Sequence, residues 1–236
     1  MKISVVTVCY NAEDKIEETI KSILNQTFNN IEYIIIDGGS TDGTINIIKK
    51  YENQIAYWIS EPDRGIYDAM NKGISIATGD YVINMNVGDQ LITIPEQELE
   101  RELQSKSVAV CGKIRTDQGN INTPKYTWLM KLQNQLPHQA LFYKTKYTRL
   151  YNIHYKIVGD YDLNLELYKR HKTIKIIDTV VAKHSLDGIS RSSASEKESL
   201  SVTRKYFGKK WQIFSWIYRR IKSLMAKMRR HSISVR

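Results

Sequence analysis

Residues 34–44 read IIIDGGSTDGT, an apolar run that ends on Asp37 and continues into a glycine-rich turn. Such a short run of β-branched residues is typical of a strand buried on both faces. Residues 3–13, ISVVTVCYNAE, show the same order of apolar strand and polar turn. Further strands are predicted at 57–59 and 81–87, each with a helical segment beside it. Alternation of strands and helices with short turns predicts a mainly parallel sheet covered by helices on both sides.

Polar residues cluster where the predicted strands end. Thr7 to Asn11, Asp37 and the segment from Asn86 to Asp89 each follow an apolar run, and Asn11 is expected to cap the next helix. Ligands of open α/β sheets bind beyond the carboxyl ends of the strands. A single cluster of this kind is also what an ordinary turn or helix cap contains. Three at one sheet edge predict a binding site there.

The second half of the chain has a weaker pattern of the same kind. A helix is predicted at 96–104, strands at 108–114 and 174–181, a loop entering a strand at 136–143, and a helix at 160–168. With no internal repeat in the sequence, these elements predict one domain with two halves, at 1–100 and 101–198, followed by the tail at 199–236.

The charge of the chain is unevenly distributed. The net charge is +10, but eleven of the 35 Lys and Arg lie in 199–236, which contains no Asp or Glu. A helix placed over 211–228 collects its aromatic and apolar residues on one broad face, opposite most of its basic residues. That arrangement is typical of a helix lying in an anionic membrane interface. The alternative is a helix packed on the domain or on a partner, with its charges solvated. Nucleic acid fits less well, because the aromatic residues face away from the charges.

The two cysteines and the hydropathy bound the location. Cys9 and Cys111 lie in predicted strands, with no spacing typical of a disulfide framework or a zinc site, which favours a reducing compartment. No apolar stretch approaches the ~18 residues of a membrane-spanning helix, and no signal-peptide pattern is present. We therefore expect a cytoplasmic protein that is peripheral at the inner face of the cell membrane.

Two common phosphate-binding motifs are absent from the sequence, the dinucleotide turn Gly-x-Gly-x-x-Gly and the Walker loop. The acidic turn after Asp37 suits hydrogen bonds to a base or a ribose better than it suits phosphates. A divalent cation would then offset the phosphate charge, and Asp89 is the oxygen ligand best placed for Mg²⁺ or Mn²⁺.

Five segments in order resemble the family-2 glycosyltransferases of the GT-A fold, from Ile3 to about Ser190. They are ISVVTVCYNAE at 3–13, IIIDGGSTDGT at 34–44, SEPDRGIYDAMNKGISIATGDYVINMNVGD at 60–89, HQALFY at 138–143 and GDYDLNLEL at 159–167. The branch with a Pro-Asp-Arg-Gly-Ile-Tyr-Asp-Ala-Met-Asn segment contains bacterial surface-polysaccharide enzymes. The resemblance implies a Rossmann-like, mainly parallel sheet flanked by helices, here with a C-terminal amphipathic helical tail at 199–236. It also implies that 1–100 is a nucleotide-sugar-binding half and 101–198 an acceptor-binding half of the same domain.

The resemblance also implies roles for individual residues. Asp160 takes the position of the general base, and a carboxylate is needed there because a sugar hydroxyl is a poor nucleophile until its proton is accepted. Asp89 ends a segment in place of the metal-binding Asp-x-Asp motif, and His184 stands where some relatives supply a metal or pyrophosphate ligand. His138 and Gln139 match an acceptor-side loop. Contacts with the nucleotide-sugar are implied for Thr7, Tyr10, Glu13, Asp37 (reading the base), Asp63, Arg64, Asp68, Asn71, Lys72 and Asn86.

Three further expectations concern residues of two predicted helices and one loop. Asp162 lies two residues after Asp160 and cannot share its helical face, so a structural role or an acceptor contact remains open. Asp68 and Asn71 are three residues apart and share a face of their predicted helix. Residues 183–190 resemble a loop that closes over the site.

The resulting hypothesis is an inverting glycosyltransferase. It would move a sugar from a nucleoside diphosphate, expected to be UDP, to a lipid-linked saccharide, with Mg²⁺ or Mn²⁺ as cofactor and an anionic membrane surface as partner. A nucleotidyltransferase could use a similar sheet, but it would favour a glycine- and arginine-rich phosphate loop near the N-terminus. A non-catalytic module that binds membranes or nucleic acid is the third alternative, and it predicts that loss of Asp160 changes nothing measurable.

Overall fold

The computed structural model of the chain describes residues 1–185 and 192–234. The predicted closing loop at 183–190 therefore lies largely outside the described residues. The first half alternates strands and helices: β1 Ile3–Cys9, α1 Ile16–Leu24, β2 Ile31–Asp37, α2 Thr44–Lys50, β3 Tyr57–Ser60, α3 Ile66–Ile76 and β4 Tyr81–Asn84. The second half contains β5 Gln90–Leu91, α4 Glu96–Leu103, β6 Ala109–Thr116, β7 Ile121–Asn122, β8 Leu141–Lys144, α5 Gly159–Lys169, β9 Ile174–His184, α6 Ser193–Phe207 and α7 Lys209–Ser234.

One sheet runs through the molecule in the order β3-β2-β1-β4-β8-β6-β9-β5, with β7 paired to β6. The first four strands are parallel, as predicted. The sheet is mainly parallel, as predicted, but its other half is mixed: β8 runs antiparallel to both β4 and β6, and β5 runs antiparallel to β9. β6 and β9 form the one parallel pair of that half among the described strands. The fold is thus a Rossmann-like half extended by a mixed half.

The core lies on both faces of this sheet because the side chains of a strand alternate between its faces. All seven residues of β1 are buried. Val6 and Val8 pack into the cluster on the side of α3 and α5, whereas Val5 packs with α1 on the other side. α3 approaches the sheet closely because Gly73 has no side chain, and a Cβ there would collide with Val6. This close packing fixes the strand ends that carry the polar residues.

Two local expectations are corrected by the structure. Asn11 does not cap α1: it adopts a left-handed backbone with φ 45°, and its Oδ1 accepts a hydrogen bond from the Thr41 backbone N–H. β4 ends at Asn84, three residues earlier than predicted. After β4, the backbone N–H groups of Met85 and Val87 still donate to the Val6 and Val8 carbonyls of β1, at 2.8 and 3.4 Å, and a turn that ends at Asp89 follows.

The C-terminal region forms two helices. α6 begins after Ser192, whose Oγ accepts a hydrogen bond from the Ser195 backbone N–H at 3.2 Å. Val202 and Thr203 of α6 are fully buried against the domain, so the predicted boundary after residue 198 falls inside this helix. Among the described residues, no helix combines the length and the apolar content needed to cross a membrane.

Candidate active site

A cavity of about 540 Å³ lies at the edge of the sheet beside the start of α5. Its lining includes Asp160, His138, Gln139 and His184, four residues to which the sequence assigned catalytic, acceptor or metal roles. Asn134, for which the sequence gave no signal, lines it as well. Because the cavity gathers both polar and titratable groups, it is the candidate active site.

Asp160 is held in the wall of this cavity by two hydrogen-bond donors. Asn134 Nδ2 donates to its Oδ2 at 2.8 Å. The single proton of Tyr67 Oη is shared between the Ile157 carbonyl at 2.8 Å and Asp160 Oδ1 at 3.3 Å, so the contact with Asp160 is the longer branch. The side chain is 17% exposed, and burial raises the pKa of Asp160 above its usual range. A carboxylate with a raised pKa and an open side is suited to accept a proton.

His138 joins Asp160 to the turn after β4. Its Nδ1 lies 3.9 Å from Asp160 Oδ2, and its Nε2 lies 3.0 Å from Asn86 Nδ2. Because an amide nitrogen can only donate, Nε2 accepts, and in the neutral ring the proton is on Nδ1, facing Asp160. Asn86 Oδ1 is buried without a hydrogen-bond partner. Such an unpaired buried oxygen is costly, so it marks a position where a ligand group would be stabilised.

Asp89 forms the second acidic centre of the site. Its side chain is buried, and its Oδ1 accepts hydrogen bonds from His184 Nδ1 at 2.8 Å and from the Ser185 backbone N–H at 3.1 Å. The Gln139 amide lies 2.7 Å from the same His184 nitrogen. The structure therefore brings the two residues predicted as metal ligands together, although they are 95 positions apart.

The short 3₁₀ turn His138–Ala140 links the two acidic centres. His138 faces Asp160, and the next residue, Gln139, faces the pair of Asp89 and His184. The two adjacent residues thus contact different acidic centres, His138 that of Asp160 and Gln139, through His184, that of Asp89. This explains why they occur as a pair in a loop that leads into β8.

A complete metal-binding cluster of the protein's own residues is not formed. Among residues 1–185 and 192–234, no group of three or more His, Cys, Asp and Glu side chains could hold an ion. Mg²⁺ is commonly bound by one or two carboxylates together with substrate phosphates, so Asp89 beside His184 fits an ion that a diphosphate helps to hold. The two cysteines are buried and play no part in the site.

Asp37 differs from its expected role as a base-reading residue. Its side chain is completely buried, and its carboxylate accepts hydrogen bonds from the backbone N–H groups of Gly39 and Ser40, at 3.1 and 2.8 Å, and from Ser60 Oγ at 2.6 Å. Burial alone would raise the pKa of Asp37, but the hydrogen bonds from Ser40 and Ser60 outweigh it and lower the pKa. Asp37 ties the turn to the end of β3 and has no free oxygen for a base.

Asp63 and Tyr10 occupy the open position beside this turn. A Cβ on Gly38 would collide with Asp63 Oδ2 and contact the Tyr10 ring, so both side chains lie over the bare glycine backbone. Asp63 Oδ1 accepts a hydrogen bond from the Gly65 N–H at 2.7 Å, and the Tyr10 side chain is 61% exposed. An acidic oxygen next to an exposed aromatic ring is a suitable surface for a base. In the sequence, the glycine at position 38 indicates this arrangement, because a side chain there would collide with Asp63.

Two other residues assigned to the nucleotide pocket have internal partners. Thr7 is completely buried, and its Oγ1 accepts a hydrogen bond from Tyr33 Oη at 3.2 Å, so it does not form a pocket wall. Glu13 Oε2 accepts a hydrogen bond from the Gly43 N–H at 2.7 Å and stabilises the start of α2.

The residues of α3 do not act as one face toward a ligand. The Asp68 carboxylate pairs with the Arg64 guanidinium at 2.9 Å, and the Arg64 side chain is 72% exposed. Asn71 instead makes a two-way clasp with the backbone of Tyr151, at 2.9 and 2.7 Å. Lys72 pairs with Glu61 at 2.7 Å. Arg64 therefore keeps an exposed cationic side chain near the predicted nucleotide site.

Asp162 points away from the cavity, as its position two residues after Asp160 predicts. Its carboxylate is buried and pairs with Lys205 of α6 at 2.7 Å. Of the two roles left open by the sequence, this ion pair supports the structural one, in which Asp162 fastens α5 to α6.

Comparison with known proteins agrees with this geometry. Residues 4–170 match the family described as Glycosyl transferase family 2, and the chain belongs to that family. Over 216 residues it is 24% identical to the PGL/p-HBAD biosynthesis glycosyltransferase of Mycobacterium bovis BCG, covering 84% of this chain and 82% of the relative. The cholesterol galactosyltransferase of Borreliella burgdorferi is 33% identical over 115 residues, which are 48% of this chain and 32% of that protein.

Solved structures share the fold. TarS residues 1–349 of S. aureus, in complex with UDP-GlcNAc, has a TM-score of 0.70 and 19% identity, covering 87% of this chain and 65% of that one. The mannosyltransferase PcManGT of Pyrobaculum calidifontis, in complex with GDP-Man and Mn²⁺, has a TM-score of 0.65 and 15% identity over 85% and 62% of the two chains. The fold is GT-A, as the sequence predicted.

The chain spans only part of the length of some of the proteins that it matches. A Mycobacterium tuberculosis glycosyltransferase is 43% identical over 89 residues, which are 37% of this chain and 34% of the relative. The chain thus aligns with about a third of that relative and just under two thirds of TarS.

Proposed function

We propose that this protein is an inverting glycosyltransferase that moves a hexosyl or N-acetylhexosaminyl group from a nucleoside diphosphate, UDP in our proposal, to a lipid-linked saccharide. The observation that carries the proposal is Asp160, a carboxylate of raised pKa held by Asn134 and Tyr67 in the wall of a 540 Å³ cavity. The naming of relatives for glycolipid biosynthesis and cholesterol galactosylation supports a lipid acceptor and a place in surface polysaccharide or glycolipid biosynthesis.

The donor would bind at the edge of the parallel half. Asp63 and Tyr10 lie over Gly38 and are placed to contact the base, and Arg64 is exposed nearby for the phosphates. The UDP-GlcNAc bound by TarS supports UDP as the carrier. Asp37 supports this surface indirectly, because it holds the turn in shape.

The residues present fit a divalent cation, Mg²⁺ or Mn²⁺, held by Asp89 and His184 together with the diphosphate. The ion would neutralise the charge that builds on the departing diphosphate. Asn86, with its unpaired buried oxygen, borders the same region and would orient the donor sugar. PcManGT, which was solved with Mn²⁺, supports the choice of ion.

Asp160 would act on the acceptor. One of its oxygens accepts the proton of the attacking hydroxyl as that oxygen forms a bond to the anomeric carbon. The bond from the anomeric carbon to the diphosphate oxygen breaks on the opposite side, so the configuration inverts. His138, with Nδ1–H facing Asp160, stabilises the carboxylate before the proton moves.

The tail would hold the enzyme on an anionic membrane at the inner face of the cell membrane. α7 exposes large apolar side chains to solvent, including Phe214, Ile221, Leu224 and Met225, each more than half exposed. Basic residues are concentrated in the same helix, and each near an anionic surface contributes about 1 kcal/mol to binding. An uncovered apolar face next to surplus positive charge is complementary to an anionic bilayer.

The proposal is tested by donor hydrolysis. Wild-type protein is incubated with a panel of nucleoside-diphosphate sugars and Mn²⁺ or Mg²⁺, and nucleotide release is compared with Asp160→Ala and Asp89→Ala. Asp178→Ala is the matched control, because this carboxylate is 97% exposed and does not line the cavity. We expect Asp160→Ala to lower the rate by about 100-fold or more, Asp89→Ala to abolish the metal dependence, and the control to match wild type. Turnover of none of the donors, or equal activity of Asp160→Ala, would refute the transferase and favour a non-catalytic module.

A further inference from the structure

One wall of the cavity beside Asp160 is built by α7. Tyr218 and Lys222 of this helix line the same cavity as Asp160, and so does Lys125 from the segment that precedes the 3₁₀ turn Trp128–Lys131. The sequence predicts a membrane-binding role for this region, with packing on the domain or on a partner as the alternative. The tail is therefore a structural part of the candidate active site.

α7 is fixed to the domain by polar contacts with two neighbouring residues, Leu132 and Gln133. Ser215 is completely buried and its Oγ donates to the Leu132 carbonyl at 2.6 Å, which also accepts from Arg219 Nη2 at 3.2 Å. Lys222 Nζ donates to Gln133 Oε1 at 2.9 Å. These contacts hold the helix against the cavity along two turns.

The helix consequently has two different faces. Trp211, Ser215, Tyr218 and Lys222 follow one another at intervals of four, three and four residues, so they share the face turned toward the domain. Lys131 Nζ lies 4.6 Å from the centre of the Trp211 ring and fastens the start of this face. The large apolar residues on the remaining surface are exposed: Ile213, Phe214, Trp216, Ile217, Ile221, Leu224, Met225 and Met228.

The charge of the cavity lining is positive away from Asp160. Lys125 and Lys222 are its two lysines, and Asp160 is its one carboxylate among the described residues. Within the described part of the chain, no carboxylate lies at ion-pair distance from Lys222, whose recorded partner is the neutral Gln133 amide. A lysine ammonium that retains free donors in a cavity is suited to bind phosphate oxygens.

We propose that α7 completes the acceptor site and that Lys222, together with Lys125, binds the phosphate or pyrophosphate group that joins the acceptor sugar to its lipid. This inference rests on the glycosyl transfer proposed above. The sugar hydroxyl would reach Asp160, the phosphate would lie against Lys222, and the lipid would follow Ile221 and Met225, which flank Lys222 on the helix. One helix would thus contact the bilayer and present the acceptor.

The test uses hexyl phosphate as a probe and hexyl β-glucoside as its uncharged counterpart. Binding of each is measured by calorimetry without vesicles and with saturating UDP, so that the nucleotide site is occupied. Lys222→Met should weaken hexyl phosphate binding about tenfold, the weight of one charge-assisted hydrogen bond, and leave hexyl β-glucoside binding unchanged. Lys222→Arg should restore most of the affinity. The matched control is Lys210→Met, which removes the same charge from the same helix at a position that does not line the cavity.

A second measurement separates the acceptor phosphate from the headgroups of the membrane. Binding to phosphatidylglycerol vesicles should fall by a similar small factor in Lys222→Met and Lys210→Met. Equal losses of hexyl phosphate affinity in these two variants, or no loss in either, would overturn the assignment. Thermal unfolding confirms that each variant is folded.

The outcome is independent of turnover. If donor hydrolysis is absent but hexyl phosphate binding depends on Lys222, the transferase fails and the anion site stands. If hydrolysis depends on Asp160 but Lys222→Met binds hexyl phosphate like wild type, the acceptor assignment fails and the transferase stands.

Discussion

Replacing Asn134 by alanine should raise the pKa of Asp160. Asn134 Nδ2 donates to Asp160 Oδ2 at 2.8 Å, and a hydrogen bond to a carboxylate favours its charged form. Burial already raises this pKa, so removal of the donor moves it further in the same direction. A hydrogen bond to a charged group is worth about 1.5–3 kcal/mol, which corresponds to a rise in pKa of about 1–2 at 1.36 kcal/mol for each pH unit.

The pH profile of kcat/KM for donor hydrolysis measures this change. Activity falls below the pKa of a general base, so the acidic limb should move about 1–2 pH units upward in Asn134→Ala. The loss should therefore be largest at low pH and disappear at high pH. Tyr67→Phe, which removes the longer 3.3 Å donor, should move the limb less.

Two results would refute the reasoning. A uniform fall in rate at every pH would mean that Asn134 serves only packing. An acidic limb that stays in place while the Asp160→Ala variant is inactive would mean that Asn134 does not act on the base. A circular dichroism melt serves as the check that Asn134→Ala remains folded.

Three other predictions address the turn, the stability and the tail. Asp37→Ala should lower the free energy of unfolding by at least about 3 kcal/mol, because several buried donors lose their acceptor. Asp63→Asn, in contrast, should keep the melting temperature and weaken UDP binding, measured by calorimetry, about tenfold. Burial opposes the charged form of Glu32, but hydrogen bonds from its polar neighbours lower its pKa from 4.5 to about 2. Glu32 therefore adds at most about 3 kcal/mol to the free energy of unfolding, and this contribution is complete above pH 4.5 and lost as the pH falls toward 2. Glu32→Gln should therefore flatten the pH dependence of chemical denaturation in that window, and an unchanged slope would contradict it. The double variant Ile221→Ser, Leu224→Ser should sediment less with phosphatidylglycerol vesicles. Its melting temperature should stay within about 2 °C of wild type, because both side chains are exposed. Unchanged sedimentation would exclude this face as the membrane contact.

The parallel half could be predicted from sequence because its signals are local. A strand buried on both faces is written as a continuous run of β-branched residues, and β1 and β2 are such runs. The mixed half could not be predicted in the same way. β8 pairs with β4 through Tyr143 and Val82, and nothing in either short segment specifies the direction of that non-local pairing.

The candidate site divides along the same line. The resemblance placed Asp160 and Asp89 at the site, and the structure brings His138, Gln139 and His184 to them. Asn134 had no signal, because it lies in an aperiodic loop that only tertiary packing brings to α5.

Asp37 shows why a polar residue at a strand end is ambiguous. A carboxylate there can face a ligand or accept hydrogen bonds from its own turn, and the sequence position is the same in both cases. The outcome depends on whether neighbouring donors reach it. Here Ser40 follows three residues later, and Ser60 lies on the adjacent strand in register with Asp37. Because the oxygens of Asp37 are occupied, we propose Asp63, which lies over the bare Gly38, as the acidic contact for a ligand.

For the tail helix α7, too, the sequence pattern leaves open which face packs on the domain. Its apolar residues predicted an amphipathic helix, and such a helix usually packs through its apolar face because burial of apolar surface stabilises the contact. α7 packs instead through Ser215 and Arg219, whose donors meet the Leu132 carbonyl. A polar contact of this kind leaves the apolar face uncovered, which costs stability in water. A lipid surface that covers the face would remove that cost, so the uncovered face supports our proposal of a partner that is both apolar and anionic.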